Sequence, residues 1–225
     1  MTLPSPLYVI LDPSAAKGRD PGAVLDAILA GGGRLVQLRD KTTPLARLLP
    51  LAQALRRRCR EAGALFIAND RADLALALEA DGLHVGQEDL PAPMARRLLR
   101  PGMILGVSTH DEAQARRALR DGADYVAVGS IFPTGTKAGF QLVGTALLRQ
   151  LRREIPVPLV AIGGITEANA GEVVDAGADV VAVISAVCGA PDPEAATRRL
   201  LDRIRDAMRA GRPPGPSLTA SGESL

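Results

Sequence analysis

Short apolar runs recur along the chain about 25 residues apart, and segments with helical spacing separate them. Eight such runs are present, at residues 7–11, 35–38, 65–68, 83–85, 104–107, 125–128, 159–162 and 180–184. Between the second and third runs, Leu45, Leu48, Ala52 and Leu55 repeat at steps of three and four residues, as on one face of a helix. A strand of roughly five residues, a helix and two short loops fill such an interval, so the pattern predicts eight β/α units.

Each apolar run is nearly continuous, which indicates a strand buried on both faces in a parallel sheet covered by helices. Segments 121–128 and 175–183 also repeat one another, each with a helix end, a glycine turn and a strand. Eight such units favour a (β/α)8 TIM barrel, a fold of the α/β class. The alternative is an open doubly wound sheet, whose frequent glycine-rich first turn is missing after Leu11. We expect a barrel domain over residues 1–209 and a disordered tail over residues 210–225, which are rich in Pro, Gly and Ser.

The composition argues against several classes of protein. The 225 residues carry a net charge of only +2 and 2% aromatic residues, so a nucleic-acid partner is not expected. With two cysteines, Cys59 and Cys188, neither a disulfide framework nor a cysteine-rich zinc site is expected. No apolar run reaches the roughly 18 residues of a membrane span and no signal peptide is recognised, which predicts a cytoplasmic protein. Lys17, Lys41 and Lys137 are the only lysines among 27 basic residues, which draws attention to them.

Polar residues at the ends of the predicted strands carry the candidate chemistry, because the active site of such a barrel lies there. Gln37 and Arg39 alternate along the second strand and therefore point the same way. Together with Lys41 and Lys137, Arg39 brings cationic groups to one mouth, and such groups suit a polyanion such as a diphosphate. The alternative is ordinary solvated surface charge.

Asp70 and Asp89 follow the third and fourth strands and form an acidic pair. Mg²⁺ prefers oxygen ligands, usually takes one or two carboxylates, and completes its shell with water and substrate phosphate. Carboxylates beside cationic residues therefore predict a magnesium-assisted diphosphate site. The alternative is that Asp70 caps the helix starting at Arg71 and Asp89 caps the turn before Pro91.

Turns in which the backbone is accessible follow the seventh and eighth strands, at Gly163-Gly164 and Ile184-Ser185. Loops at these positions often bind phosphate through backbone N–H groups, and glycine lets the backbone approach it closely. The alternative is a tight turn that needs glycine only for its conformation. A diphosphate site and a monophosphate site at one mouth predict an enzyme that joins two phosphorylated small molecules with loss of diphosphate.

Seven motifs at these strand ends resemble the thiamine-phosphate synthase family over about residues 7–205. The motifs are Val36-Gln-Leu-Arg-Asp-Lys41, Ile67-Ala-Asn-Asp70, Leu83-His-Val-Gly-Gln-Glu-Asp-Leu90, Gly106-Val-Ser-Thr-His110, Val128-Gly-Ser-Ile-Phe-Pro-Thr-Gly-Thr-Lys137, Ala161-Ile-Gly-Gly-Ile165 and Val183-Ile-Ser-Ala186. The resemblance implies a transferase that couples 4-amino-2-methyl-5-hydroxymethylpyrimidine diphosphate to a thiazole phosphate through a dissociative substitution, with Mg²⁺ as cofactor. The alternatives are a thiazole tautomerase-like paralogue and a non-catalytic barrel that binds a thiamine precursor.

The resemblance also implies roles for individual residues. The pyrimidine diphosphate is expected on Gln37, Leu38, Arg39, Asp40, Lys41, Asn69, Ser108 and Lys137. The thiazole phosphate is expected on Thr134, Gly135, Thr136, Gly164, Ile184 and Ser185, and Mg²⁺ on Asp70 and Asp89. The first strand departs from the family because Leu11 stands where a Thr is more usual, which leaves Asp12 without an assigned role. His84 is predicted to be a structural residue of the fourth strand.

Overall fold

Eight parallel strands close into a barrel in chain order, with β1 hydrogen-bonded to β8. The computed structural model describes residues 3–135 and 141–211. The strands are β1 Leu7–Leu11, β2 Leu35–Leu38, β3 Leu65–Asn69, β4 Gly82–Val85, β5 Ile104–Thr109, β6 Tyr125–Val128, β7 Leu159–Ile162 and β8 Val180–Val183. The (β/α)8 barrel predicted from the apolar runs is therefore confirmed.

Helices cover the outside of the barrel and follow the strands in sequence. Within the described residues they are α1 Pro21–Ala30, α2 Leu45–Glu61, α3 Ala72–Ala77, α4 Ala92–Leu98, α5 Glu112–Arg120, α6 Gly144–Leu151, α7 Ala170–Asp175, α8 Ser185–Cys188 and α9 Pro193–Gly211, with a 3-10 helix at Pro13–Ala16. Because α9 ends at Gly211, residues 210 and 211 belong to the last helix rather than to the predicted tail. Residues 212–225 lie outside the described residues, so the disorder of the tail stays a prediction.

Alternation along the strands divides the buried residues between two cores. Outward-facing side chains, such as Leu7, Val9 and Leu11 of β1, pack under the helices in the larger core. Inward-facing side chains fill the barrel in a second core that includes Tyr8, Ile10, Ile67, Ile104, Tyr125 and Val160. The barrel is thus a packed interior rather than a pore, and ligands are confined to its mouth.

Three aspartates at the N-terminal end of the barrel make the same pair of contacts. Each carboxylate precedes an even-numbered strand, accepts a hydrogen bond from an amide of the preceding strand, and forms an ion pair with an arginine. The three sets are Asp81 with Phe66 N (2.7 Å) and Arg56, Asp124 with Leu105 N (2.7 Å) and Arg96, and Asp179 with Leu159 N (2.9 Å) and Arg152. The repeated segments noted in the sequence therefore share a structural role, far from the mouth.

None of the helices in the described ranges is long and apolar enough to cross a membrane.

Candidate active site

A cavity of about 370 Å³ lies at the barrel mouth, where the C-terminal ends of the strands meet. Most of the residues predicted to bind substrate or metal line it: Gln37, Arg39, Lys41, Asn69, Asp70, Asp89, Ser108, Thr134, Gly135, Gly164, Ile184 and Ser185. These residues are separated by as much as 148 positions in sequence (37 to 185), and barrel closure brings them to one cavity. Thr136 and Lys137 lie outside the described residues, so their assignments stay predictions.

Two residues in the predicted set, Leu38 and Asp40, do not have side chains in the cavity wall. Leu38 points outward from β2 and is buried in the core beneath the helices, because neighbouring strand residues face opposite ways. The carboxylate of Asp40 accepts hydrogen bonds from the backbone amides of Thr42 and Thr43, at 2.9 and 2.8 Å, and so shapes the loop after β2. Neither side chain lies in the cavity wall, and the assignment of these two residues to the diphosphate stays a prediction.

Arg39 is oriented by an ion pair that the sequence did not predict. Its guanidinium donates to the carboxylate of Asp12, which is buried at the end of β1. The other carboxylate oxygen of Asp12 accepts from the Ser14 amide at 2.9 Å. Because Asp12 is held in place by the backbone, Arg39 is fixed before any ligand arrives, and Asp12 acquires the role that the sequence left open.

Asp70 and Asp89 lie beside each other, as the predicted metal pair requires. Burial and the adjacent carboxylate of Asp89 raise the pKa of Asp70, against the opposing effect of Lys41, whose Nζ lies 3.3 Å from Asp70 Oδ2. Asp70 has a backbone φ of 60°, a left-handed conformation that is uncommon outside glycine and often marks a functional site. The strand end is thus bent so that this carboxylate turns toward the cavity.

The alternative role of Asp70 as a helix cap is not observed. The N-cap of α3 is Arg71 and that of α4 is Pro91, and neither helix start has a side-chain cap. Asp89 accepts a hydrogen bond from the Gly86 amide at 2.7 Å and so caps the turn before Pro91, as the alternative for this residue predicted. Among residues 3–135 and 141–211, no group of three or more His, Cys, Asp or Glu side chains is placed to hold a metal. A metal on this pair would therefore need ligands from substrate or water.

Gly163 and Gly164 form a turn that only glycine accommodates easily. Their φ angles are 103° and 65°. A Cβ on Gly164 would lie 2.4 Å from the carbonyl oxygen of Pro133, and one on Gly163 would lie 2.6 Å from Cα of Ser130. Conformation and close packing both explain these glycines, which agrees with the alternative of a tight turn that needs glycine for its conformation. The backbone of the turn nevertheless lines the cavity.

His84 is a buried, hydrogen-bonded residue of β4, as predicted, and it also borders the cavity. It lines the cavity, its Nε2 lies 2.8 Å from Ser108 Oγ, and its Nδ1 lies 2.9 Å from the hydroxyl of Tyr125. Burial lowers the pKa of His84 to about 4, against the opposing effect of Asp89, so the ring is neutral at physiological pH. The sequence contained a signal for this position: Leu83 and Val85 are the apolar residues that pack under the helices, so His84 between them faces the inside of the barrel.

His110 also reaches the cavity, from the end of β5. Its Nδ1 lies 2.5 Å from the carbonyl oxygen of Gly129, and its backbone amide donates to Gln114 Oε1 at 2.8 Å. A carbonyl oxygen can only accept, so Nδ1 is the donor in this contact.

A barrel with cations, a carboxylate pair and a glycine-rich turn at its mouth is typical of enzymes that act on phosphorylated substrates. The family model described as thiamine monophosphate synthase matches residues 7–187. Curated thiamine-phosphate synthases from Moorella thermoacetica and Roseiflexus castenholzii are each 52% identical to the chain. The alignments cover 89% of the chain and 96% of the Moorella enzyme, and 87% and 86% in the Roseiflexus case.

A solved structure of a protein with a related name is also similar to the chain. Thiamine phosphate pyrophosphorylase from Pyrococcus furiosus superposes with a TM-score of 0.83 at 38% identity, covering 90% of this chain and 96% of that one. The chain belongs to the thiamine monophosphate synthase family. Its activity is that of a thiamine-phosphate synthase, a transferase of thiamine biosynthesis, as the strand-end motifs indicated. These comparisons favour neither the tautomerase-like nor the non-catalytic alternative.

Proposed function

We propose that the enzyme joins 4-amino-2-methyl-5-hydroxymethylpyrimidine diphosphate to a thiazole phosphate, forming thiamine phosphate and diphosphate. The observation that carries this proposal is the division of the cavity wall. Cationic and acidic side chains follow β2, β3 and β4, and the glycine-rich turn follows β7 on the opposite side of the barrel. The charged side suits a diphosphate with its counter-ion, and the backbone-rich side suits a monophosphate.

In this proposal Arg39, Lys41 and Asn69 bind the diphosphate, together with Lys137. The ion pair with Asp12 supports this role, because a guanidinium that is already ordered loses less side-chain entropy when the ligand binds. Gln37, which is buried within β2, and Ser108 of β5 hold the pyrimidine ring.

Asp70 and Asp89 fit a magnesium ion, because a divalent cation relieves the repulsion that two adjacent carboxylates impose on each other. Two carboxylates are also a number that Mg²⁺ commonly takes from protein, with substrate oxygens and water completing its shell. When bound there, Mg²⁺ supplies positive charge against the charge that grows on the leaving diphosphate.

The thiazole phosphate is assigned to the opposite rim. Gly164 and Ser185 line the cavity on adjacent strand ends, and Thr134 and Gly135 belong to the loop that packs over Gly164. Thr136 completes this set in the prediction. Ile184 adds apolar contact for the thiazole ring.

In the proposed reaction the bond between the pyrimidine methylene carbon and the diphosphate oxygen breaks, and its electron pair leaves with the diphosphate. Arg39 and Lys41 stabilise this growing negative charge, which is commonly the largest contribution to catalysis. The thiazole nitrogen then forms a new bond to the methylene carbon. The turn at Gly164 holds the thiazole phosphate and so positions that nitrogen for attack.

Asp89→Asn tests the metal assignment, with Asp73→Asn as a control that removes an exposed carboxylate paired with Arg71 on α3. We expect Mg²⁺ to raise the thermal midpoint of the unmodified enzyme and to support diphosphate release. In Asp89→Asn the Mg²⁺-dependent rate should fall by about 100-fold, and Mg²⁺ should no longer raise the midpoint. Without Mg²⁺ this variant should be no less stable than the unmodified enzyme, because the repulsion with Asp70 is gone.

The control should keep both responses to Mg²⁺. An Asp89→Asn enzyme that retains them would rule out the metal assignment. Cytoplasmic location and the absence of a nucleic-acid partner stay predictions of the sequence, which specified no oligomeric state.

A further inference from the structure

Five polar side chains form a continuous hydrogen-bonded network inside the barrel, and the proposed reaction gives no role to its central members. Gln37 Nε2 lies 2.6 Å from the Tyr8 hydroxyl, which lies 3.1 Å from the Tyr125 hydroxyl. That hydroxyl lies 2.9 Å from His84 Nδ1, and His84 Nε2 lies 2.8 Å from Ser108 Oγ. We call these five residues the inner network. Its two ends, Gln37 and Ser108, line the cavity.

Strand register and one glycine build the inner network. His84, Gly106 and Tyr125 are register partners on β4, β5 and β6, so they lie at one level of the barrel. A Cβ on Gly106 would lie 2.0 Å from the ring of Tyr125. Because Gly106 leaves this space, the Tyr125 ring crosses β5 and stacks on His84, with centroids 5.5 Å apart and planes 19° apart. Tyr8 meets the Tyr125 ring edge-on, with centroids 6.0 Å apart.

The hydrogen bonds in the inner network have one consistent direction, which starts at Gln37. An amide nitrogen donates and does not accept, so Tyr8 accepts from Gln37 Nε2. Tyr8 is fully buried, and its own hydrogen needs an acceptor. The contact that can take it is the Tyr125 hydroxyl, which in turn donates to His84 Nδ1.

The same direction continues through the imidazole to the cavity. His84 is only 7% exposed and both ring nitrogens contact hydroxyl groups rather than a carboxylate, so the buried ring is neutral. A neutral ring that accepts at Nδ1 carries its hydrogen on Nε2, and it donates that hydrogen to Ser108 Oγ. Ser108 therefore keeps its own hydrogen for a ligand.

We propose that Tyr8, Tyr125 and His84 are positioning residues that set the donor and acceptor pattern which Gln37 and Ser108 present to the pyrimidine ring. This inference rests on the proposed function, in which these two end residues hold that ring. Ser108 presents a donor, and Gln37 presents its carbonyl oxygen as an acceptor. An aminopyrimidine offers the complement, a ring nitrogen that accepts and an amino group that donates.

The first test reads the imidazole directly, by ¹⁵N NMR of the enzyme labelled at histidine and held at pH 8. The chain has two histidines, and a His110→Gln sample assigns the signals. We expect His84 to carry its hydrogen on Nε2. His110 should show the opposite tautomer, because its Nδ1 donates to the Gly129 carbonyl.

The second test is Tyr125→Phe, which removes the central hydroxyl and keeps the ring. The control is Thr197→Val, which removes a buried hydroxyl that donates to Pro193 O at 2.7 Å on α9, far from the cavity. Tyr125→Phe deletes two buried hydrogen bonds and Thr197→Val deletes one, at about 1 kcal/mol each, so both variants should be destabilised and the control shows what the loss of a buried hydroxyl does away from the inner network. Tyr125→Phe alone should mix the His84 tautomers and raise KM for the pyrimidine diphosphate about tenfold, leaving KM for the thiazole phosphate unchanged.

The two tests distinguish a failure of the proposed hydrogen-bond network from a failure of the assignment of Gln37 and Ser108 to the pyrimidine ring. If His84 carries its hydrogen on Nδ1 in the unmodified enzyme, the direction proposed for the inner network is wrong. If the tautomer responds to Tyr125→Phe but neither KM changes, the network exists as described and the assignment of Gln37 and Ser108 to the pyrimidine ring fails. Equal changes of both KM values would indicate general loosening and would also contradict a positioning role.

Discussion

Gly164 lies in the turn after β7, which packs against the loop that contains Thr134. Replacing it with alanine would destabilise the fold in two separate ways. The first is conformational, because a residue other than glycine at a φ of 65° is strained by about 1–2 kcal/mol. The second is steric, because the added Cβ would lie 2.4 Å from a backbone oxygen that cannot move alone. Gly63, after α2, also has a φ of 65° but has no atom within 4 Å of an added Cβ.

Gly164→Ala and Gly63→Ala therefore form a matched pair. Both should lower the free energy of unfolding by about 1–2 kcal/mol through backbone strain, and Gly164→Ala should lower it further through the steric clash. Gly164→Ala should in addition displace the adjoining loop and raise KM for the thiazole phosphate about tenfold, while Gly63→Ala leaves KM unchanged. Chemical denaturation and steady-state kinetics measure the two effects. Identical kinetics for both variants would show that the Gly164 turn does not touch this substrate.

At the scale of the element, the strands have polar residues at their C-terminal ends, where ligands bind. At the opposite end, a fixed carboxylate precedes each of β4, β6 and β8. Asp81, Asp124 and Asp179 join the start of one strand to the start of the next and to an arginine. Residues at the N-terminal face of a barrel typically contribute to stability rather than catalysis. Stability and chemistry are thus carried at opposite ends of the same strands.

Asp124→Ala should accordingly destabilise the enzyme without slowing it. The change leaves the Leu105 amide without its acceptor and removes the ion pair of Arg96, which keeps its hydrogen bonds to the carbonyls of Met103 and Gly122; the cost should be about 1–3 kcal/mol. Asp121→Ala, three residues earlier at the end of α5, should change the free energy of unfolding by less than about 0.5 kcal/mol. Urea titration tests both values. A fall in kcat for folded Asp124→Ala would contradict the division of roles between the two ends.

At the scale of the whole molecule, the buried His84 couples folding to pH. Its pKa is lowered to about 4 in the folded enzyme, whereas an unfolded histidine has a pKa of about 6.5. Between these values the unfolded chain binds a proton that the folded enzyme does not, so the free energy of unfolding falls as the pH falls. Asp70, whose pKa is raised, has the opposite effect on the pH dependence of stability. Both the unmodified enzyme and His84→Gln contain Asp70, so its effect cancels when the two are compared.

His84→Gln should remove this part of the pH dependence. Between pH 6.5 and pH 4, the unmodified enzyme should lose stability more steeply than His84→Gln, by about 1 kcal/mol per pH unit. The comparison uses the slopes and not the absolute stabilities, because the substitution also alters hydrogen bonds to Ser108 and Tyr125. Denaturant titrations at several pH values measure the slopes. Parallel curves would mean that His84 is not buried in a neutral state.

The barrel could be predicted from sequence because its signals are local and periodic. An apolar run needs only its own residues to indicate a buried strand, and eight repeats left few alternatives to closure. The same rule located the site, because Gln37, Arg39, Asn69 and Ser108 share the inward alternation at strand ends. The same alternation also predicts that the side chain of Leu38 faces away from the cavity and that His84 faces into the barrel, because neighbouring residues of a strand face opposite sides.

The features that could not be predicted from the sequence are contacts between residues far apart in the chain. Tyr8 and Tyr125 meet across 117 positions, and Asp12 orients Arg39 across 27. Neither contact has a local pattern, because each depends on barrel closure and on the register between strands. The chain's own pattern thus sufficed for the fold, the family and the charged residues of the cavity. Tertiary structure decided which partner orients each of them, since a side chain's direction is set by neighbours that only folding brings within hydrogen-bonding distance.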